Sequence, residues 1–299
     1  MKFSRAGDAL TVACPAKVNL FLEVRGRRPD GYHEIETVMQ AVTLYDELVL
    51  RPRPGRGVTF RCSDPALPRD GRNLAYAAAE RLDAAVGLPE GVSVRLEKRI
   101  PAGAGLGGGS SDAAGVLAGL DRLFGLGRSL EELSELGAGL GSDVPFFLRG
   151  GTALCRGRGD QVDAVTCGLV GHYVICCPEQ GVSTGEAYGY LSRMGLTKND
   201  RSARLILDSL ASGQPDRVRE HLFNRLGEVA ERLVPDVGKV RRLLAASASQ
   251  VALVSGSGSA VFCLFGTAED AAVVAERMRA QDVARVFVAR SEAAADASD

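Results

Sequence analysis

A glycine-rich stretch lies between Lys98 and Phe124, with the sequence KRIPAGAGLGGGSSDAAGVLAGLDRLF, and leads directly into an amphipathic helix. Glycine permits positive-φ turns and lets the backbone approach a ligand closely, so successive N–H groups can point toward an anion. The helix is predicted to have Ser110 or Ser111 at its N-cap and its apolar residues on one face. A loop of this kind at a helix N-terminus is typical of a phosphate-binding site, and a nucleotide is its expected ligand.

Other interpretations of this loop fit the sequence less well. Gly103, Gly105 and Gly108 match the spacing of a dinucleotide-binding fingerprint. However, Pro101 and Ala102 separate them from the preceding predicted strand, whereas that fingerprint turns tightly off its strand. A Walker phosphate loop does not fit either, because no lysine follows the last glycine. A flexible linker is disfavoured because linkers do not lead into a helix with an apolar face.

Lys17 and Asp143 are the residues that the sequence offers for phosphoryl transfer to a hydroxyl group. Residues 11–24 alternate as in a strand, so Lys17 projects on the same face as Asn19, while Asp143 lies in an irregular segment. The reaction requires a held γ-phosphate, neutralisation of its developing charge and a base for the attacking hydroxyl. Asp143 is the predicted base, and Lys17 is the cation predicted to keep it ionised, orient the hydroxyl or stabilise the transition state. Taken singly, Asp143 could instead cap a helix or turn, and Lys17 could be a surface charge.

Tyr32 and His33 follow a Pro-Asp-Gly turn, so a loop is predicted to present an aromatic face beside an imidazole. An aromatic ring can stack on a pyrimidine while a neighbouring imidazole hydrogen-bonds to the edge of the base. The two residues therefore indicate a site for a nucleoside. The alternative is that Tyr32 packs on a hairpin and His33 is solvated.

Length and composition indicate a globular chain without general affinity for polyanions. The chain has 299 residues, which favours two hydrophobic cores, and its formal net charge is −1. This balance argues against nucleic acid or an anionic membrane as a partner. Asp8 interrupts the N-terminal segment before any apolar stretch, so no secretory signal is expected. The seven cysteines lack metal-type spacing and, with no secretory signal expected, are interpreted as reduced thiols in a cytoplasm.

The periodicities predict two structural halves, an N-terminal domain at residues 1–163 and a C-terminal domain at residues 164–299. The first half is predicted to contain strands at 11–24, 35–42, 47–51 and 92–97 and helices at 73–86, 110–124 and 130–140. The second is predicted to contain a strand at 170–177, a broken helical stretch at 185–233, a helix at 236–246, two strands around the turn at 254–259, a helix at 268–281 and a strand at 283–289. With the extra helices set aside, this order is βαββαβ, the split βαβ arrangement of ferredoxin-like domains.

Three motifs of the chain resemble those of the GHMP kinases, a superfamily that phosphorylates small alcohols with ATP. They are PAKVNLFL at 15–22, PAGAGLGGGSSDA at 101–113 and the glycine-rich turn at 255–259. RPDGYHEI at 28–35 and GSDVPFF at 141–147 are similar to the members that act on a cytidine-diphosphate alcohol. The resemblance implies an α+β, two-domain GHMP kinase fold, with an N-terminal ribosomal-protein-S5-like ATP-binding domain, a C-terminal ferredoxin-like domain and an active site in the cleft between them.

The resemblance also implies roles for individual residues. Lys17 and Asp143 match the catalytic lysine and aspartate of the superfamily. The residues implied to bind ATP are Pro101, Gly103, Gly105, Leu106, Gly107, Gly108, Gly109, Ser110 and Ser111. The residues implied to bind the substrate are Asn19, Tyr32, His33, Thr184, Tyr188, Gly256 and Gly258. Tyr188 would form a second aromatic wall of the base-binding site; the alternative is ordinary packing within its helix. Gly256 and Gly258 would bring the backbone close to the cleft; the alternative is a plain connection between two strands.

The implied reaction is direct in-line transfer from ATP to the 2-hydroxyl of 4-diphosphocytidyl-2-C-methyl-D-erythritol, in the non-mevalonate isoprenoid pathway. Magnesium is expected, carried mainly by the nucleotide. A kinase for homoserine, mevalonate or a sugar is an alternative, although those substrates carry no base that could stack on Tyr32. The other alternative is a non-catalytic nucleotide-binding sensor, which the presence of both Lys17 and Asp143 disfavours. Neither nucleic acid nor a membrane is implied as a partner.

Overall fold

The structure is a computed structural model that describes residues 1–195 and 201–293, arranged around two β-sheets. The strands are β1 (Lys2–Ala6), β2 (Ala9–Arg27), β3 (His33–Arg53), β4 (Val58–Cys62), β5 (Gly91–Glu97), β6 (Thr152–Arg156), β7 (Gln161–Ala164), β8 (His172–Cys177), β9 (Phe223–Asn224), β10 (Leu253–Val254), β11 (Val261–Phe265) and β12 (Arg285–Arg290). The helices are α1 (Leu74–Val86), α2 (Gly108–Phe124), α3 (Leu130–Ala138), α4 (Val144–Arg149), α5 (Thr184–Met194), α6 (Arg204–Ser212), α7 (Pro215–Glu220), α8 (Gly227–Leu233), α9 (Pro235–Ala248) and α10 (Ala268–Arg279).

The first sheet is organised by β2 and β3, which pair antiparallel along most of their length. Its strand order is β1-β2-β3-β5-β4, with β6 and β7 attached beside β3 and the short β9 parallel to β2. The two strands predicted at 35–42 and 47–51 are one continuous strand, because β2 pairs with both segments and with Tyr45 and Asp46 between them. Helix α2 packs on β2 and β3, so the glycine-rich loop that precedes it lies over this hairpin.

Strand β2 departs from the simple alternation that its sequence suggests. Its pairing with β3 shifts register at three points, one of them between Asn19 and Phe21, and such bulges redirect the side chains that follow. Residues 14–24 are buried on both faces of the strand. As a result, Leu20 and Phe21 share one core, whereas Leu22 belongs to another.

The second sheet has the strand order β10-β11-β8-β12, and each neighbouring pair is antiparallel. In chain order, its elements are β8, α9, β10, β11, α10 and β12, which confirms the βαββαβ arrangement expected from the sequence. Helices α5 to α8 and strand β9 are inserted between β8 and α9. Residues 196–200 of the predicted helical stretch at 185–233 lie outside the described residues; the described part of the stretch forms four separate helices and contributes one short strand to the other sheet.

Three groups of buried apolar residues stabilise the described part of the chain. One lies between the first sheet and helices α1 and α2, and another between the second sheet and helices α8 to α10. The third joins Val18 and Leu20 of β2 to Tyr173 of β8 and Phe262 of β11. It lies between the two sheets, so β2 is held directly against the second half. We propose the domain division at residues 163 and 164, near the end of β7.

A buried ion pair between Glu23 and Arg225 also connects the two halves. Nε and Nη2 of Arg225 donate to the carboxylate oxygens of Glu23 at 2.8 and 2.9 Å, and the Glu23 side chain is 2% exposed. We expect Glu23→Gln to lower the free energy of unfolding by about 1.5–3 kcal/mol, the usual net contribution of hydrogen bonds to a charged group. Urea denaturation of the full chain measures this change.

Asp163→Asn is the matched control for that variant. Asp163 pairs with Arg156 at 2.9 Å, but the two side chains are 67% and 49% exposed. Exposed pairs contribute less than about 1 kcal/mol. Equal losses of stability in the two variants would contradict a structural role for the Glu23 pair.

All seven cysteines are free thiols, and all except Cys167 are buried, as expected for reduced core residues. Within the described ranges, none of the helices combines the length and apolar character needed to cross a lipid bilayer.

Candidate active site

The glycine-rich loop connects β5 to α2 and adopts a backbone conformation that requires its glycines. Gly103, Gly105 and Gly107 have φ values of +66°, +74° and +71°, a region that favours glycine. Gly107 is the N-cap of α2, and no side chain caps this helix. The prediction that Ser110 or Ser111 caps it was wrong, because both serines lie within the first turn. The N–H groups at this helix end have no intrahelical partners and carry partial positive charge, which suits a phosphate.

Gly107 also allows the loop to pack closely against two other elements. A Cβ atom at this position would lie 2.8 Å from the ring of Phe147 on α4 and 3.1 Å from Cγ of Lys17 on β2. Both distances are shorter than an ordinary van der Waals contact. The glycine-rich loop, Lys17 and the helix that follows Asp143 are therefore packed together at one point.

The second half of the chain holds the first part of the loop in place. The backbone carbonyls of residues 103–105 accept hydrogen bonds from Val182 N at 3.1 Å, Ala260 N at 3.0 Å and Ser255 Oγ at 3.0 Å. These donors come from the segments before α5 and between β10 and β11. The position of the glycine-rich loop therefore depends on contacts between the two halves.

Three buried charges, Lys98, Asp46 and Asp112, lie behind the loop. The Lys98 ammonium forms an ion pair with Asp46 and lies 2.8 Å from Asp112. Asp46 also accepts hydrogen bonds from the backbone N–H groups of Arg99 and Ile100. Burial raises the pKa of the Asp112 carboxyl, and the charge of Lys98 opposes this effect. Because Lys98 precedes the loop and Asp112 follows it, the cluster ties both ends of the loop to β3.

Lys17 and Asp143 form an ion pair beside the loop. Lys17 Nζ lies 3.6 Å from Asp143 Oδ2, and the side chains are 5% and 27% exposed. Asp143 occupies the N-cap position of α4, but its side chain makes no capping hydrogen bond. Lys17 is thus a buried cation rather than a surface charge, and Asp143 presents a carboxylate that a ligand in the cleft can reach.

Asn19 fixes the position of the Lys17 ammonium. Lys17 Nζ donates to Asn19 Oδ1 at 2.5 Å, and Asn19 Nδ2 donates to Thr37 Oγ1 at 2.8 Å. The Thr37 hydroxyl donates in turn to the Phe21 carbonyl at 2.6 Å. Gly256 completes this corner, because a Cβ atom there would lie 3.2 Å from both Lys17 Nζ and Asn19 Oδ1.

The aromatic residues predicted to bind the substrate lie in the same cleft. Tyr32 is 54% exposed, and the guanidinium of Arg158 lies 4.8 Å from the centre of its ring. The rings of His33 and Tyr188 stack with their centres 5.0 Å apart and an interplanar angle of 29°. His33 Nε2 lies 2.7 Å from Ser192 Oγ.

Thr184 and the glycine-rich turn of the second half lie near these residues. Thr184 Oγ1 is 2.9 Å from Ser257 Oγ, and both residues line the cleft together with Gly256. Gly258 packs beneath the loop, against Gly105. A Cβ atom added to Gly105 would lie 3.0 Å from the backbone nitrogen of Gly258 and 3.1 Å from its backbone oxygen. Of the two glycines predicted to contact the substrate, Gly256 thus borders the cleft and Gly258 supports the loop.

The glycine-rich loop, the Lys17–Asp143 pair, the aromatic residues and Gly256 border one cleft of about 920 Å³, a volume suited to small-molecule ligands. Sequence reasoning missed Leu67, Pro68 and Asn73, which line it beside the loop. Asn73 is the N-cap of α1, accepting from Ala75 N and donating to the Pro68 carbonyl. The sequence indicated Asn73 only as the start of a helix, because nothing in the pattern places that start beside the loop.

Comparisons with known proteins bear on this arrangement. The family model described as GHMP kinases N terminal domain matches residues 73–151, and the one described as GHMP kinases C terminal matches residues 206–284. A protein of Pelotomaculum thermopropionicum named 4-diphosphocytidyl-2-C-methyl-D-erythritol kinase is 41% identical over 91% of this chain and 95% of its own length. A crystal structure of 4-(cytidine 5'-diphospho)-2C-methyl-D-erythritol kinase is 38% identical, with a TM-score of 0.79 over 94% of this chain and 99% of the other.

The chain belongs to the 4-diphosphocytidyl-2-C-methyl-D-erythritol kinase family. The GHMP kinase resemblance and the two-domain α+β fold inferred from the motifs are thereby confirmed. Homoserine kinase from Cytophaga hutchinsonii is also similar in structure, with a TM-score of 0.73 over 98% of each chain, but it is only 20% identical. That likeness shows the fold alone.

The structure of this family member brings together most of the residues that the sequence singled out. Those that line the cleft are Lys17, Asn19, Tyr32, His33, Pro101, Gly103, Gly105, Leu106, Gly107, Gly108, Gly109, Ser110, Asp143, Thr184, Tyr188 and Gly256. Ser111 is buried on the inner side of α2, and Gly258 lies beneath the loop. Arg158 and Ser192 are further cleft residues that no motif identified, because each reaches its partner only through the tertiary fold.

Proposed function

We propose that the chain transfers the γ-phosphoryl group of ATP to the 2-hydroxyl of 4-diphosphocytidyl-2-C-methyl-D-erythritol, a step of the non-mevalonate isoprenoid pathway. The observation that carries this proposal is the Lys17–Asp143 pair, 3.6 Å apart in the wall of the cleft that the phosphate loop borders. The substrate is taken from the names of the relatives and agrees with the aromatic groups at Tyr32, His33 and Tyr188.

In the proposed reaction the loop and the N-terminus of α2 hold the phosphates of ATP. Asp143 accepts the proton of the substrate hydroxyl as the hydroxyl oxygen bonds to the γ-phosphorus and the bond to the β–γ bridging oxygen breaks, releasing ADP. Lys17 has three ammonium donors. One N–H donates to Asn19, and a second is directed toward the Asp143 carboxylate. The third N–H is then available to an oxygen of the transferred phosphoryl group.

Magnesium accompanies ATP in such reactions and neutralises charge on the phosphates. Oxygen donors that suit this ion lie beside the loop: Ser110 borders the cleft, and Ser111 Oγ and Asp112 Oδ1 are buried without a hydrogen-bond partner. Across the two described ranges, no three His, Cys, Asp or Glu side chains are clustered so that they could hold a metal. We propose that the nucleotide and water supply most of the magnesium ligands, with a hydroxyl from Ser110, which borders the cleft, rather than from Ser111, which is buried on the inner side of α2.

A coupled ADP-release assay tests the proposed function. Purified protein, ATP and magnesium are supplied in turn with the cytidylated alcohol, homoserine, mevalonate and galactose. We expect turnover with the cytidylated alcohol alone. Turnover with another of these alcohols would overturn the substrate assignment and leave the kinase assignment in place, whereas ATP binding without turnover of any would favour a nucleotide sensor.

Replacement of Tyr32 tests the base-binding part of the cleft. Stacking of a base on an aromatic ring contributes about 1–3 kcal/mol, so Tyr32→Ala is expected to raise KM for the cytidylated alcohol by roughly 5–150-fold. KM for ATP should stay within about twofold, because Tyr32 lies in the turn between β2 and β3 and is not part of the glycine-rich loop. Tyr32 is 54% exposed, so removal of its side chain should leave the melting temperature nearly unchanged. An equal rise in both KM values would argue against the assignment.

A further inference from the structure

Helix α5 holds His33 on two sides. The ring of Tyr188 covers one face of the imidazole at a centre-to-centre distance of 5.0 Å, and Ser192 Oγ lies 2.7 Å from Nε2. Tyr188 and Ser192 are four residues apart in α5 and so lie on the same face of the helix. One face and one nitrogen of His33 are therefore occupied, and Nδ1 is the remaining polar atom of the ring.

The hydrogen bonds of Ser192 determine which nitrogen of His33 carries the proton. The Ser192 hydroxyl has a single proton, which it donates to the Tyr188 carbonyl at 3.1 Å. It must then accept from His33, so Nε2 bears the proton and Nδ1 has a free lone pair. Burial, followed by the nearby positive charge of Arg27, lowers the pKa of His33, which keeps the imidazole uncharged at neutral pH.

We propose that Ser192 is a positioning residue for base specificity, because it holds His33 with Nδ1 available as a hydrogen-bond acceptor for the exocyclic amino group of cytosine. This inference rests on the proposed function, which places the cytidine group in this part of the cleft. Uracil has a keto oxygen where cytosine has that amino group, so it would bring a second acceptor to Nδ1 with no proton between them. A site built to bind a donor rejects an analogue without it, because its own polar group is left unpaired.

Nitrogen NMR of the full-length free protein tests the arrangement directly. The chain contains three histidines, and a His33→Gln variant assigns the resonances of His33. At pH 8 we expect one tautomer, with Nε2 protonated and a large separation between the two ring-nitrogen shifts. Ser192→Ala should narrow that separation and speed exchange of the Nε2 proton, while Ser192→Thr, which keeps the hydroxyl, should restore the wild-type values.

Ser209→Ala is the matched control. Ser209 Oγ donates to the Leu205 carbonyl at 2.8 Å, the same bond to the preceding helical turn that Ser192 makes. Its loss removes this helical interaction far along the chain from His33. We expect no change in the His33 spectrum. Protonation of Nδ1 in the wild type, or an unchanged His33 spectrum in Ser192→Ala, would overturn the inference.

Binding measurements then test specificity without requiring turnover. Calorimetry compares cytidine 5′-diphosphate with uridine 5′-diphosphate on protein whose loop is saturated with a non-hydrolysable ATP analogue. We expect a preference for the cytidine nucleotide that falls by about fivefold in Ser192→Ala, the effect of one net hydrogen bond, and that Ser192→Thr retains. A preference that Ser192→Ala leaves intact would overturn the inference. Failure of the proposed function would give a different result: calorimetry would detect cytidine 5′-diphosphate binding, but the ADP-release assay would show no phosphorylation of the cytidylated alcohol.

Discussion

Asp143→Asn is expected to lower kcat by about 10²–10⁴, the usual contribution of a positioned general base. An amide has the shape of the carboxylate but cannot accept the hydroxyl proton, and it no longer balances the charge of Lys17 at 3.6 Å. KM for ATP and for the alcohol should change little, because Asp143 acts on the transferred proton rather than on bound phosphates. Steady-state ADP release measures both parameters.

Asp163→Asn serves as the control for this loss of charge. It removes a carboxylate from a neighbouring strand, β7, where the side chain is 67% exposed and paired with Arg156. We expect wild-type kinetics for this variant. A kcat within tenfold of wild type for Asp143→Asn would mean that another group removes the hydroxyl proton.

Gly105→Ala is expected to displace the phosphate loop. A Cβ atom at this position would overlap the Ser255 carbonyl oxygen and lie 3.0 Å from Gly258 N, and the residue has a φ of +74°. Strain at positive φ costs about 1–2 kcal/mol and overpacking about 1–3 kcal/mol more. The free energy of unfolding should fall by about 2–5 kcal/mol, and kcat/KM for ATP by about 10²-fold because the loop moves.

Gly125→Ala separates backbone strain from the close contact. Gly125 follows α2 with a φ of +61°, and no atom lies within 4 Å of its Cβ position. We expect Gly125→Ala to lower the free energy of unfolding by about 1–2 kcal/mol and to leave kcat and KM for ATP unchanged. Gly105→Ala and Gly125→Ala could instead lose the same stability and both keep the wild-type kcat/KM for ATP. That result would mean that the contact of Gly105 with the second half does not position the loop. Urea denaturation and ATP-dependent rates distinguish these results.

Much of the fold follows from local patterns in the sequence. The βαββαβ order of the second half is visible because each strand and helix keeps its own apolar period, and the predicted starts of α1 and α3 lie within a residue of those observed. The course of β2 is not predictable in this way. Its apolar residues enter two different cores because the register with β3 shifts after Asn19, and register is a property of the pair of strands.

The start of α2 illustrates the same limit within the candidate site. Serine is a strong N-cap, so the sequence favoured Ser110 or Ser111. The helix instead starts after Gly107, where the loop closes against Phe147 and Lys17 and only a glycine fits. Tertiary packing outweighs a capping preference that is worth about 1 kcal/mol.

By itself, the sequence determined the glycine-rich loop, the candidate residues Lys17 and Asp143, and the aromatic pair predicted to bind a nucleoside, because each depends on residue types within a short segment. Only the tertiary structure decided that Lys17 faces Asp143, that the second half holds the loop, and that Ser192 lies on His33. Lys17 and Asp143 are 126 positions apart and His33 and Ser192 are 159 apart. Contacts over such separations depend on how sheets and helices pack, which no local pattern encodes.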